Sequence, residues 1–215
     1  MKCIDCKLVR NTIIFGVITL VTVVLSYNFL DIKVANIVHT SDLFGTGVST
    51  IADLISKIFS PKIWAVITAL AVLISGIIYL RTKKTSSKFY TMSLALVATI
   101  LFTTITKVLL ARYRPEMLLF DDKYGFHFLS FKKAYNSMPS GHTALTFAGL
   151  LAIANFFKKS YITALAIFIA CMVAVSRIII LDHFVSDVIL AAYIGIFCYL
   201  WAKSLMESKS RIKSK

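Results

Sequence analysis

Apolar runs long enough to cross a membrane constrain this chain of 215 residues more than any other feature of its sequence. A helix needs about 20 apolar residues to span the ~30 Å hydrocarbon core of a bilayer. Runs of this kind lie at 12–30, 63–80, 89–110, 143–157, 161–181 and 184–202. The fourth run is short, so we expect its helix to extend backward past His142. The sequence therefore predicts an all-α polytopic membrane protein in which residues 1–215 form one domain with six transmembrane helices.

The segment between the first two runs has a different pattern. Asp31–Ser60 mixes polar residues with apolar side chains at helical spacing, and Ser49 or Thr50 is a candidate N-cap. The apolar positions are Ile51, Leu54, Ile55, Ile58 and Phe59. This pattern is typical of a helix that lies in the plane of the membrane interface, and we expect one additional interfacial helix here.

The distribution of basic residues predicts the orientation of the chain. Its formal net charge is +14, from 24 lysines and arginines against 10 acidic residues. With six spans, fourteen of the basic residues lie on the faces that carry the termini, including the basic tail 203–215. The other ten lie opposite, with eight of the ten acidic residues. The positive-inside rule then places both termini in the cytoplasm, and we expect a bacterial plasma membrane. Because the charge flanks membrane spans, it favours lipid headgroups over nucleic acid as partners.

Three polar clusters fall at the outer face in this topology. They comprise Lys107 with Arg114 and Pro115, then Pro139, Ser140, Gly141 and His142, and finally Ser176, Arg177, His183 and Asp187. Each cluster adjoins the outer end of a predicted span. Although they are distant in sequence, we expect the three clusters to meet in space at one membrane surface.

The cations in these clusters predict an anion-binding site. Two unit charges about 6 Å apart repel by about 3 kcal/mol at an effective dielectric constant near 20, so Lys107, Arg114 and Arg177 together require a counter-ion. A phosphate would satisfy them, and the Ser140 hydroxyl and the backbone N–H groups near Gly141 could bind the same group. Each cation taken alone could instead extend to lipid headgroups or pair with a nearby carboxylate.

Two histidines beside these cations suggest a reaction. On a helix, His183 and Asp187 share a face, so the carboxylate could fix the imidazole tautomer while the other ring nitrogen attacks phosphorus. His142 is then the candidate general acid for the departing oxygen, and the base for the water that hydrolyses the phosphohistidine. Taken alone, His142 would be explained as a capping or hydrogen-bonded structural residue.

No metal ion or other cofactor is expected. A divalent ion would be repelled by the cations around the predicted phosphate, and no set of ligands at metal-binding spacing is visible. Cys3 and Cys6 have the spacing of a zinc or redox pair but lack a second pair. We interpret them as reduced cytosolic thiols or as a lipidation site.

The segments KVLLARYRP, PSGH and SRIIILDHFVSD resemble, in this order and spacing, the signature of the type 2 phosphatidic acid phosphatase superfamily of integral-membrane lipid phosphatases. The match covers residues 107–187. The resemblance implies a metal-independent phosphatase with a six-helix core and a site that faces the periplasm or exterior. It implies that His183 is the nucleophile, that Asp187 is the carboxylate that orients it and that His142 acts as acid and base. The phosphate-binding residues implied are Lys107, Arg114, Ser140, Gly141 and Arg177.

The expected function is hydrolysis of a terminal phosphate from a lipid phosphomonoester or diphosphate. Candidate substrates are undecaprenyl diphosphate, phosphatidylglycerol phosphate, phosphatidic acid and the phosphates of lipid A. A phosphotransferase that passes the phosphate from the same phosphohistidine to a lipid or sugar remains open. An anion channel or transporter would explain the cations, but not the spacing of His183 and Asp187. The sequence does not indicate an oligomeric state.

Overall fold

The structure is a computed structural model that describes residues 6–41, 46–82 and 87–213. In these ranges the regular structure is helical, apart from one isolated antiparallel bridge between Arg112 and Phe126. The all-α prediction is therefore confirmed. Cys3 lies outside the described residues, whereas Cys6 is a free, exposed thiol at the start of the first helix.

The helices follow the predicted runs closely. They are α1 (Cys6–Phe29), α2 (Asp31–Thr40), α3 (Gly47–Ile58), α4 (Pro61–Thr82), α5 (Ser87–Leu110), α6 (Pro115–Asp121), α7 (Gly141–Phe157), α8 (Ser160–Ile179) and α9 (Val185–Lys213). A single 3₁₀ turn lies at Lys133–Tyr135. The described part of the predicted basic tail is thus a continuation of α9.

Five helical stretches of the described chain are long and apolar enough to cross a membrane. They are Cys6–Phe29, Gly47–Thr82, Lys88–Leu110, Ser160–Ile179 and Val185–Ser208. The outward sides of α1, α4 and α8 expose large apolar residues, as expected for a surface in contact with lipid. These features are those of an integral membrane protein.

The fourth predicted run forms α7, which is shorter than those five stretches. It has 17 residues and begins at Gly141, one residue before His142, as the predicted backward extension requires. Lys158 ends it in a left-handed conformation with φ of 55°. Ten of its residues are buried and lie on all sides of the helix, so α7 is the central element of the bundle.

The segment 31–60 differs from its prediction, because the described residues contain two helices there rather than one. α2 buries Asp31, Ala35 and Val38, while α3 packs on α8 and continues through a short turn into α4. Neither Ser49 nor Thr50 is the N-cap of α3. The helix begins at Gly47, and both hydroxyls donate to the carbonyl oxygen of Thr46.

Small residues let the central helices approach closely. A Cβ atom at Gly195 of α9 would lie 2.3 Å from the carbonyl oxygen of Ala144 in α7, so only glycine fits at this crossing. On the other side of α7, the indole N–H of Trp64 donates to Thr146 Oγ1 at 3.2 Å. This close packing holds α4, α7 and α9 against one another.

The long connection between α5 and α7 returns along the end of the bundle. Its backbone is tied together by hydrogen bonds from His127 N to Ala111 O at 2.9 Å and from Ser137 N to Arg112 O at 3.1 Å. A further bond runs from Ser140 N to Asp187 O at 3.2 Å and joins the start of α7 to the first turn of α9. The second and third sequence clusters are therefore in direct contact.

Candidate active site

The three clusters predicted from the sequence meet at one end of the bundle. Lys107 is in the last turn of α5, and its Nζ donates to the carbonyl oxygen of Asn136 at 2.6 Å. A Cβ atom at Gly141 would lie 3.9 Å from Lys107 Cε. The predicted cations Lys107, Arg114 and Arg177, together with His183, all lie close enough to the His142 imidazole to interact with it electrostatically.

His183 lies in the tight turn between α8 and α9, just before the predicted run 184–202, so it does not share a helix with Asp187. Its backbone N–H donates to the carbonyl oxygen of Arg177 at 3.2 Å, and its side chain is 3% exposed. Burial lowers the pKa of His183 to about 3, although the neighbouring Asp187 acts in the opposite direction. The ring is therefore neutral at physiological pH, which is the form required of a nucleophile.

Asp187 is fully buried in the first turn of α9 and faces this ring. Its Oδ2 lies 3.7 Å from His183 Nδ1, an atom without a hydrogen-bond partner among the described residues. The same oxygen accepts from the Ser137 hydroxyl at 2.5 Å and from Phe184 N at 2.9 Å. Since Nδ1 faces the carboxylate, Nε2 is the nitrogen that remains for substrate.

Ser140 is the N-cap of α7, directly before Gly141 and His142. Its hydroxyl oxygen accepts from Thr143 N at 3.5 Å and from Thr143 Oγ1 at 3.1 Å, and the residue is fully buried. The hydroxyl hydrogen can still be donated. The N-terminus of a helix favours a bound anion, because its first N–H groups have no partner within the helix.

The two arginines of the predicted phosphate site share a carboxylate. Asp182 forms ion pairs with both Arg114 and Arg177, and Arg177 also donates to the Ser56 hydroxyl of α3. Pairing with a nearby carboxylate was the alternative that the sequence left open for each cation, and these two cations do so. One small carboxylate reaches both guanidinium groups, so their spacing also suits a small oxyanion.

Arg112 is the most important residue that the sequence analysis missed, since it was counted only among the outer cations. It is fully buried, and its Nη1 donates to Asp187 Oδ1 at 2.6 Å and to Ser186 Oγ at 2.5 Å. Its Nη2 donates to Asp31 Oδ2 at 2.7 Å and to the Tyr124 hydroxyl at 3.1 Å. Its position inside the first motif was the one available signal, because its carboxylate partners are 75 and 81 residues away in sequence.

Aromatic rings enclose the Arg112 guanidinium. Its Cζ lies 4.4 Å from the ring centroid of Phe184, 5.0 Å from Tyr27, 5.4 Å from Tyr124 and 5.7 Å from Phe126. Burial lowers the pKa of Arg112, but the two carboxylates outweigh it and the net shift is upward. Arg112 therefore stays charged inside the protein.

Comparisons with known proteins agree with this architecture. A family model described as the PAP2 superfamily matches residues 88–211. A transmembrane PAP2-type phosphatidylglycerolphosphate phosphatase from Bacillus subtilis superimposes with a TM-score of 0.67 at 18% identity, over 92% of this chain and 96% of that one. Aquifex aeolicus LpxE gives 0.53 at 22% identity, over 80% and 94%. None of the curated protein sequences matches the chain significantly.

Proposed function

Because this chain belongs to the PAP2 superfamily of phosphatases, we propose that it removes a terminal phosphate from a lipid phosphomonoester or diphosphate at the outer face of a membrane. The observation that carries this proposal is the meeting of two histidines with three cations at one end of an apolar bundle. The cations bind the phosphate, while the apolar flanks leave the lipid chain in the bilayer. Asp187, which orients His183, makes the site suited to breaking the P–O bond of the substrate and not only to binding its phosphate.

The first step transfers the phosphoryl group to the protein. Nε2 of neutral His183 attacks phosphorus, the P–O bond to the lipid breaks, and His142 donates a proton to the departing oxygen. In the second step His142 removes a proton from water, the water oxygen attacks phosphorus, and the P–N bond breaks. Inorganic phosphate leaves, and both histidines return to their starting forms.

Asp187 and the cations stabilise these steps through charge. As Nε2 attacks, positive charge develops on the His183 ring, and Asp187 Oδ2 beside Nδ1 stabilises it. The negative charge on the phosphoryl oxygens is balanced by Lys107, Arg114 and Arg177. The Ser140 hydroxyl and the backbone N–H groups at the start of α7, including that of Gly141, donate hydrogen bonds to the same oxygens. The incoming phosphate competes with Asp182 for the two guanidinium groups.

The same proposal assigns six spans and an orientation. α7 would cross a bacterial plasma membrane as the fourth span, with α2 and α3 at the outer surface. Both termini would lie in the cytoplasm. The basic residues Lys158 and Lys159 support this orientation, because they lie at the opposite end of α7 from His142. The site would then face the periplasm or the exterior.

Purified protein is expected to release inorganic phosphate from a lipid phosphate in the presence of EDTA, because cationic side chains supply the charge stabilisation. The panel comprises undecaprenyl diphosphate, phosphatidic acid, a lipid A phosphate and phosphatidylglycerol phosphate, the lipid named for the Bacillus subtilis relative. Values of kcat/KM across the panel identify the substrate. In ¹⁸O-labelled water the released phosphate should carry one solvent oxygen. Absence of phosphate release from all four lipids would contradict the proposal. Transfer of the phosphoryl group to an alcohol, without incorporation of solvent oxygen, would assign a phosphotransferase.

A further inference from the structure

A buried chain of charges connects α2 to the nucleophile. Asp31 is 1% exposed at the start of α2, and Arg112 and Asp187 are both fully buried. One arm of the Arg112 guanidinium pairs with Asp31 and the other arm pairs with Asp187. Asp31 lies outside residues 88–211, the range that the family model matches.

We propose that Asp31 and Arg112 are positioning residues for Asp187, and that Asp31 keeps Asp187 electrostatically able to support His183. This inference rests on the proposed function, because it assigns a role in forming the phosphohistidine. Through Asp31, the α1–α2 segment would act directly on the reaction at His183.

The positioning role follows from how the oxygens of Asp187 are occupied. Oδ1 accepts from Arg112, while Oδ2 accepts from Ser137 and Phe184 and faces His183. Arg112 therefore holds the oxygen that points away from the imidazole and fixes the direction of the other one. A carboxylate held through both oxygens cannot turn away as the charge on the ring changes.

Asp31 also holds the residue next to Asp187. Its Oδ1 accepts from Ser186 N at 3.0 Å, and its Oδ2 accepts from the Ser186 hydroxyl. It thus binds Arg112 and the first turn of α9 at the same time. This arrangement fixes Arg112 and Asp187 relative to each other across 75 residues of sequence.

The electrostatic role follows from the sum of the charges. Asp31 and Asp187 contribute two negative charges and Arg112 one positive charge, so the cluster carries a net charge of −1. Without the charge on Asp31, Arg112 would neutralise Asp187 and the cluster would offer no net charge to the developing imidazolium. The site already contains three other cations, and buried charges are weakly screened. Loss of the net negative charge should therefore destabilise the positive charge that develops on His183.

The charge model makes a prediction that differs between the two chemical steps. The phosphorylated His183 ring is cationic when Nδ1 keeps its proton, whereas the free ring is neutral. A cluster with net charge −1 stabilises the former relative to the latter. Loss of that charge should slow formation of the phosphohistidine but leave its hydrolysis unchanged or faster, whereas a loosened site would slow both steps.

Asp31→Asn is the test, because asparagine has the same shape as aspartate without the charge. In rapid-quench experiments with a ³²P-labelled lipid phosphate, phosphorylation of His183 should slow by about 10- to 100-fold, the size of effect known for residues that orient metal-binding side chains. Dephosphorylation should not slow, and the inhibition constant of inorganic phosphate should change by less than about threefold, since Lys107, Arg114 and Arg177 are retained. Asp121→Asn, the same change at the exposed last residue of α6, should leave both steps at the wild-type rate.

Two further variants separate charge from packing. Ser186→Ala removes the hydroxyl that bonds to Arg112 and Asp31 but keeps the net charge of the cluster, so it should slow phosphorylation less than Asp31→Asn does. Asp31→Glu keeps the charge but strains the buried site, so it should phosphorylate faster than Asp31→Asn even when its melting temperature is lower. Equal slowing of both steps in Asp31→Asn, or phosphorylation in Asp31→Glu no faster than in Asp31→Asn, would overturn the proposal. A wild-type protein that forms no phosphohistidine would instead refute the proposed function itself.

Discussion

Replacing His183 by alanine should lower phosphate release by roughly 10⁴-fold or more, a loss typical of a covalent nucleophile. The P–N bond cannot form in this variant, so neither chemical step can proceed through the protein. Rapid-quench experiments should detect an acid-labile phosphorylated histidine in the wild type and none in His183→Ala.

His39→Ala provides the matched control for this experiment. His39 is an exposed histidine of α2 whose ring packs edge-on against Phe120. Its replacement should leave both the phosphoenzyme and the turnover unchanged. Thermal unfolding of the two variants shows whether either has lost its fold. Turnover above about one hundredth of the wild-type value in folded His183→Ala would exclude His183 as the nucleophile.

Replacing His142 by alanine should cost about 10²- to 10⁴-fold with a lipid phosphate, because an alkoxide would have to leave without a proton. The loss should shrink to less than about tenfold with p-nitrophenyl phosphate, whose leaving group needs little protonation. This smaller loss should be measured on the phosphorylation step, since His142 also acts as a base in hydrolysis. The activity of His183→Ala should stay as low with p-nitrophenyl phosphate as with the lipid phosphate. Equal losses with both substrates would assign His142 to binding rather than to proton transfer.

The pH dependence should give the same assignment. With its pKa lowered to about 3, His183 is already neutral above about pH 4, so its protonation does not limit the rate between pH 5 and 8. A bound phosphate offsets the cations around His142 and favours its protonated form, so in this complex the rate should fall on the alkaline side, where His142 loses the proton that it donates. Rate–pH profiles of phosphorylation should therefore show an alkaline limb in the wild type that is absent in His142→Ala. An alkaline limb that persists in this variant would contradict the assignment.

The sequence predicted the bundle and most of the candidate site through local patterns. Apolar runs of membrane-spanning length fixed the long helices, and motif residues at the ends of those runs fixed which end of the bundle carries Lys107, His142 and His183. These inferences succeed because a helix length and the end at which a residue lies depend only on neighbours in sequence.

Local patterns failed where a short segment could adopt more than one arrangement. The spacing of His183 and Asp187 suggested two residues on one face of a helix, whereas α9 begins at Val185 and His183 lies in the turn before it. The apolar periodicity of residues 31–60 likewise did not reveal that two helices share this segment. Element boundaries depend on capping and tertiary contacts that periodicity does not encode.

The sequence by itself determined that this protein is a helical membrane protein with its chemical groups gathered at one surface. Only the tertiary structure decided which charges meet there. Apart from its place inside the first motif, nothing in the sequence around Arg112 distinguishes it from the other cations. Nothing near Asp31 in the sequence indicates that it shares a guanidinium with Asp187. The physical reason is that a buried ion pair forms only where packed helices exclude water and bring distant residues within 3 Å, and that geometry belongs to the whole bundle.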